Sequence, residues 1–148
     1  MSAATSHRFR PAPRRGVAQR RPWGVMLVEA VTAVAAFGGA AYLVAGADGM
    51  DGSLLAATPF TTWVVPGLAL AGLVGLPMAA AAVAEGRRTA RASLLSLAAG
   101  AVLVGWIVVQ VALIGYQSVL QPAMFLAGFA VATASGARVW ERGVARRR

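Results

Sequence analysis

Residues Glu85–Ala92 read EGRRTARA, a basic turn set between two long apolar runs. The run before it is PFTTWVVPGLALAGLVGLPMAAAAVA, residues 59–84, and the run after it is SLLSLAAGAVLVGWIVVQVALIG, residues 93–115. A helix rises 1.5 Å per residue, so ~20 apolar residues cross a bilayer's hydrocarbon core. Both runs are long enough. Arg87, Arg88 and Arg91 fix the side on which the turn between them lies, because Lys and Arg accumulate on cytoplasmic loops.

Two more apolar runs lie further out. Residues 23–47, WGVMLVEAVTAVAAFGGAAYLVAGA, precede the polar link DGMDGSLLAAT with its two Asp-Gly turn signals. Residues 122–139 follow the short link YQSVLQ and form the shortest run. The charges decide whether that run crosses. All 14 basic residues are arginines, and they stand before the first run, between the second and third, and at or beyond the end of the fourth. Four crossings place these three groups on one side and Asp48 and Asp51 on the other. Three crossings would export an arginine-rich tail. The pattern therefore predicts an all-α polytopic membrane protein, with four transmembrane helices in an antiparallel bundle and both termini cytoplasmic. Arg20, Arg21, Arg87, Arg88, Arg91, Arg138 and Arg142 are its topology determinants, and they face anionic lipid headgroups.

Composition agrees. The hydrophobic fraction of the 148 residues is 58% and the charged fraction 13%, against about 25% charged in a soluble domain. There is no Cys, hence no disulfide framework or thiolate metal site. The net charge of +9 could suggest nucleic acid, but the arginine segments lack interleaved aromatics and a folded platform. Residues 1–22 carry six arginines, three prolines and few apolar side chains, a composition that predicts a disordered cytoplasmic tail. Residues 141–148 form a second basic tail. Ala45-Gly46-Ala47 resembles a signal-cleavage site, but the apolar run before it exceeds the ~7–15 residues of a signal peptide and is broken by Glu29.

Thr58 and Pro59 predict the start of the second span, as N-cap and first helical residue. Pro66 and Pro77, inside that span, predict kinks at the carbonyls of Thr62 and Leu73. They stand eleven residues apart, close to three turns, so both kinks should open on one face. Gly67, Ala71, Gly75 and Ala79 in the second span, and Gly128, Ala132 and Gly136 in the fourth, form small-residue rows that let backbones approach closely. Such rows suit packing within the bundle, a membrane-protein partner or a second copy of the chain.

The order of Gly38-Gly39, Asp48-Gly49, SLLAATPFTTWVVPGLAL, WIVVQVALIG and LQPAMFLAG resembles a family of small four-helix integral membrane proteins of high-GC Gram-positive bacteria. The resemblance rests on Pro59 and Phe60 at the entry to the second span and Pro66-Gly67 soon after, and it covers about residues 24–130. It implies a fold and a bacterial cell membrane, and it carries over no catalytic residue or cofactor.

Glu29 is the leading polar candidate, an ionisable group inside the first span and so a functional-site hypothesis. Burial favours its neutral acid and a nearby arginine its carboxylate, a pair of states that a proton-coupled carrier could use. The structural alternative pairs it with Arg20, Arg21 or Arg88 at the boundary. LVEAVTA around it is faintly similar to the small multidrug transporters, but the strong arginine bias here opposes their dual insertion. Gln110, deep in the third span, should face another helix and hydrogen-bond. Trp23, Trp63, Trp140 and Tyr116 fall at span ends as interfacial anchors. His7 has no metal-binding companions, and Ser93 and Ser96 read as helix-start residues with no base nearby. The chain has no nucleophile elbow and no P-loop, which leaves a non-enzymatic membrane protein acting through helix packing as the first reading and a small carrier or channel component as the second.

Overall fold

The computed structural model describes residues 23–56, 58–145 and 147. The expected disordered tail, with His7, Arg20 and Arg21, lies outside the described residues. The described chain forms four long helices: α1 (Trp23–Val44), α2 (Val64–Gly86), α3 (Ala92–Ile114) and α4 (Leu120–Ala145). Each is long and apolar enough to cross a membrane. A short 3₁₀ turn, Gly52–Leu55, is the only other helical element among the described residues.

The outside of the bundle is as apolar as its inside. Val31, Val34, Leu68, Leu76, Val108 and Leu126 are all more than half exposed. In water such a surface would far exceed the apolar patches a monomer tolerates. In a bilayer it is the lipid-facing surface. The interior is narrow and built from small residues: Ala33, Ala36, Ala81 and Ala99 surround Val74, Met78, Leu103 and Ile107.

Close backbone approach sets the register. A Cβ built on Gly67 would lie 3.0 Å from Ala40 O and from Leu43 Cβ, and one built on Gly75 would lie 2.9 Å from the Phe37 ring. Gly86 stands against Met26. The small-residue row of α2 therefore packs on α1. The most extensive contact in the bundle is between α3 and α4. There Gly100 meets Gly128 O and Ala132 N, and Gly136 meets Leu97. The row in the fourth span thus finds its partner in Gly100, which sits in the third.

The start of α2 differs from the sequence expectation. The capping bond foreseen for Thr58 does form, from Phe60 N–H to Thr58 Oγ1 at 3.3 Å, but the helix is not propagated from it. It begins at Val64, with Trp63 at the cap. The reason lies in Pro66. A helix begun at Pro59 would lose the bond that residue 66 should donate to Thr62. Begun at Val64, it holds Pro66 in the first turn, where no N–H needs an intrahelical partner. Pro66 therefore causes no interior kink.

Pro77 does disturb the helix. Immediately before it, residues Ala71–Gly75 form a π turn, in which Leu76 N–H donates to Ala71 O, five residues back. The extra residue is a common response to a broken α ladder. The two prolines thus differ in effect because only one stands in the interior.

The ends of the helices follow glycine and hydroxyl chemistry. α1 ends at Val44; beyond it Gly46 takes a positive φ (+116°) and Ala47 N–H donates back to Tyr42 O at 3.1 Å. Asp51 caps the 3₁₀ turn by accepting from Ser53 N–H at 2.8 Å. The Ser53 hydroxyl and N–H together hold the Asp51 carboxyl below the usual carboxylate range. At the end of α3, Gln121 accepts from Gln117 N–H at 2.8 Å and donates to Gly115 O at 3.3 Å, while the Gln117 amide donates to Ile114 O. These two glutamines are capping groups. The last helix extends past the apolar run to Ala145, because Arg138, Glu141 and Arg142 are compatible with helix in water.

Candidate functional site

Two features stand out inside the bundle, one near each end. The first is a polar cluster at the arginine-rich end, to which all four helices contribute. Glu85 sits in the last turn of α2, Ser93 and Ser96 on one face of the first turns of α3, and Ser135 and Arg138 one turn apart on α4. Glu29 comes from the second turn of α1.

Arg138 Nη1 stands 2.8 Å from Glu85 Oε1. Arg138 Nη2 donates to Ser135 Oγ at 2.9 Å, and Ser96 Oγ donates to Glu85 Oε1 at 3.2 Å. Glu85 is almost wholly buried, so its charge is met by a guanidinium and a hydroxyl together. Arg142 adds a bond from Nη1 to Ala90 O at 3.4 Å across the basic turn.

Glu29 is different. It is 0% exposed, and neither Oε1 nor Oε2 has a hydrogen-bond partner among the described residues. Its neighbours are nonetheless polar. The Ser96 hydroxyl is within its reach, and the charges of Glu85 and Arg138 act on it. Ser96 therefore faces two carboxyl groups, and in the structure its hydroxyl proton goes to Glu85. A hydroxyl has one proton to give, so it serves one acid at a time. Ser93, also buried, leaves its Oγ without a partner among the described residues. A buried carboxyl group without a hydrogen-bond partner among the described residues, beside an ion pair that is fully formed, can take up or hold a proton.

The second feature is a cavity of about 220 Å³ toward the other end. Met50, Gln117, Ser118 and Gln121 line it near the connecting loops, and Thr32, Ala36 and Leu103 line it at mid-depth. Leu70 and Val74, flanking and within the π turn of α2, form part of the wall. Trp106 and Gln110 complete it from α3. Trp106 Nε1 is buried without a partner among the described residues.

The sequence-predicted positions fall as follows. Glu29 lies in the polar cluster but pairs with no arginine among the described residues. Arg88, one of its expected partners, is exposed. Gln110 is half-buried in the cavity wall, with no hydrogen bond to another described residue. Arg87, Arg91 and Arg142 are exposed at the arginine-rich end, whereas Arg138 is drawn inward to Glu85. Thr32 lies one turn from Glu29 on α1, so the cavity stops one turn short of the cluster. Ser93, Ser96 and Ser135 were not singled out as site residues. The available signal was spacing: Ser93 and Ser96 share a helix face, and so do Ser135 and Arg138.

Comparison with known proteins finds no matching family model, no matching curated protein and no matching solved structure. What the fold and the site define is a class: a multi-pass helical membrane protein with a buried acidic cluster at one end and an apolar cavity toward the other.

Proposed function

We propose that this is a non-enzymatic protein of the bacterial plasma membrane, an antiparallel four-helix bundle with both termini cytoplasmic, working as a small proton-coupled carrier or channel component. The observation that carries the reading is Glu29, a fully buried carboxyl with two unpartnered oxygens, one helical turn from a cavity. Ionisable groups at such depth mark proton and ion pathways. The resemblance to small four-helix proteins of high-GC Gram-positive bacteria, and a chain whose only strong bases are arginines, support the location. The register pairs Met26 with Gly86 and Phe37 with Gly75, and Leu97 with Gly136 and Leu103 with Gly128, support the antiparallel arrangement. The cytoplasmic side is the one that carries the arginines.

Protein reconstituted in vesicles with an entrapped pH dye tests this. A potassium diffusion potential should drive proton movement faster than in protein-free vesicles. Glu29→Gln should bring the rate down to the protein-free level while leaving the thermal transition in place, and Glu29→Asp should retain part of the flux. Equal flux in wild type and Glu29→Gln, or none in either, contradicts the reading.

A second reading, association through helix packing with another copy or a partner, is favoured by a separate observation. Ala98, Ala101, Gly105 and Ala112 are exposed on one face of α3, and a Cβ on Gly105 would meet nothing within 4 Å. Such a row permits close approach of a further helix.

A further inference from the structure

We infer that the Ser96 hydroxyl is a proton relay between Glu29 and Glu85, through which Glu29 exchanges its proton with the arginine-rich face of the membrane. Glu29 and Ser96 are both 0% exposed, so bulk water does not reach them and the proton of Glu29 must leave through a buried polar atom. Hydrocarbon cannot pass a proton on. The groups that act on Glu29 are Ser96, Glu85 and Arg138. A guanidinium is a donor only and does not give up its proton, which removes Arg138 as a relay. Glu85 Oε1 is already engaged by Arg138 at 2.8 Å and by Ser96 at 3.2 Å. Of the three, Ser96 can accept on a lone pair while its O–H donates, and that O–H is already directed at Glu85. The path that results ends near water. Glu85 stands in the last turn of α2, before the exposed Gly86, Arg87 and Arg88, and the side chain of its partner Arg138 is 25% exposed.

The step balances at every atom. Protonated Glu29 gives its proton to a lone pair of Ser96 Oγ as Ser96 gives its own to Glu85 Oε1. One O–H bond forms and one breaks at Ser96, so the hydroxyl is unchanged, Glu29 is left as the carboxylate and Glu85 as the acid. Glu85 then releases the proton to water at the arginine-rich end, which restores its ion pair with Arg138. The new Ser96 O–H points at Glu29 and rotates back to Glu85 before the next transfer. The inference rests on the carrier reading for its biological purpose and deepens it, by naming the side from which Glu29 is loaded and the residue that passes the proton. Exchange of the Glu29 proton itself does not depend on net flux.

The test uses the full chain in lipid nanodiscs and reads the proton on Glu29 by infrared spectroscopy. The carboxylic C=O band of Glu29 is assigned by its loss in Glu29→Gln, at a pH where the band is present. Rapid mixing with D₂O then follows the shift of the band as the proton is replaced by a deuteron. Ser96→Ala should slow that exchange about 100-fold, the lower end of what a positioned proton-transfer group contributes. The space left by one oxygen atom is too small for a water to take over. Ser96→Thr, which keeps a hydroxyl, should restore most of the rate. Glu85→Gln, whose amide cannot take up the proton, should slow exchange as Ser96→Ala does, and it carries the test if Ser96→Ala does not fold. The inference is overturned if exchange in either folded variant is as fast as in wild type, which is escape by another route such as Thr32 and the cavity. It is also overturned if folded Ser96→Thr is as slow as Ser96→Ala. Absence of the Glu29 band at every pH at which the chain is folded would overturn both this inference and the carrier reading. Slowed exchange in the variants without proton flux in wild type would reject the carrier reading alone, and flux with unslowed exchange in the variants would reject this inference alone.

Discussion

Gly100→Val should force α3 and α4 apart and destabilise the bundle by about 3 kcal/mol, the upper end of overpacking costs. A Cβ at this position would lie 2.7 Å from Ala132 N and 2.7 Å from Gly128 O. Both are backbone atoms of a regular helix, so no rotamer change can make room. Relief requires the two helices to separate, and theirs is the most extensive contact in the molecule. In a bilayer, packing of this kind replaces the hydrophobic drive that lipid cancels, so its loss is not offset elsewhere. Gly105→Val is the control. It lies one turn further along the same helix and faces open space. It should change stability by less than about 0.5 kcal/mol. Unfolding of both variants in mixed micelles against increasing sodium dodecyl sulfate gives the comparison. Equal stability of the two would show that the α3–α4 contact is not made as described.

Arg138→Ala should cost about 3 kcal/mol, because it leaves a buried carboxylate without its counter-ion. The two side chains are 25% and 4% exposed, so solvent reaches the guanidinium but hardly reaches Glu85. That asymmetry places the cost at the lower end of the range for a broken buried pair. Ser96 donates to the same oxygen and cannot neutralise it. The test that separates the ion pair from simple loss of packing is the double variant Arg138→Met, Glu85→Gln. It removes both charges while keeping most of the side-chain volume, and it should recover most of the lost stability. A double-mutant cycle with no coupling between the two positions would mean the pair holds nothing together.

The existence of four spans was legible because three apolar runs exceed the length a bilayer needs, and because the arginine groups require an even number of crossings, which makes the shorter fourth run a span. The boundaries were less legible. Thr58-Pro59 carries every local mark of a helix start, and its capping bond is present. The helix nevertheless waits until Val64, since only that choice moves Pro66 out of the hydrogen-bonded interior. The end of α4 ran six residues beyond the apolar segment for the opposite reason: hydropathy ends at the membrane surface, whereas helix propensity does not.

The polar cluster was legible only in part. Glu29 was recognisable from its position within a span. Its surroundings were not, because they come from the ends of three other helices whose register is set by glycine contacts distant in sequence. Arg138 read as one more topological charge, since nothing in the local sequence distinguishes an arginine that faces headgroups from one that turns inward to Glu85. The cavity could not be read at all. It depends on the π turn before Pro77 and on which face of α3 carries Trp106 and Gln110, and both are properties of packing.

The central claim is that four crossings return the chain to the side on which it began, with the arginines inside. Fusion of alkaline phosphatase, which folds only outside the cytoplasm, to the carboxyl end measures this most directly when set beside the same enzyme fused after Gly52. The account predicts an inactive enzyme at the carboxyl end and an active one after Gly52. Phosphatase activity at the carboxyl end would contradict it.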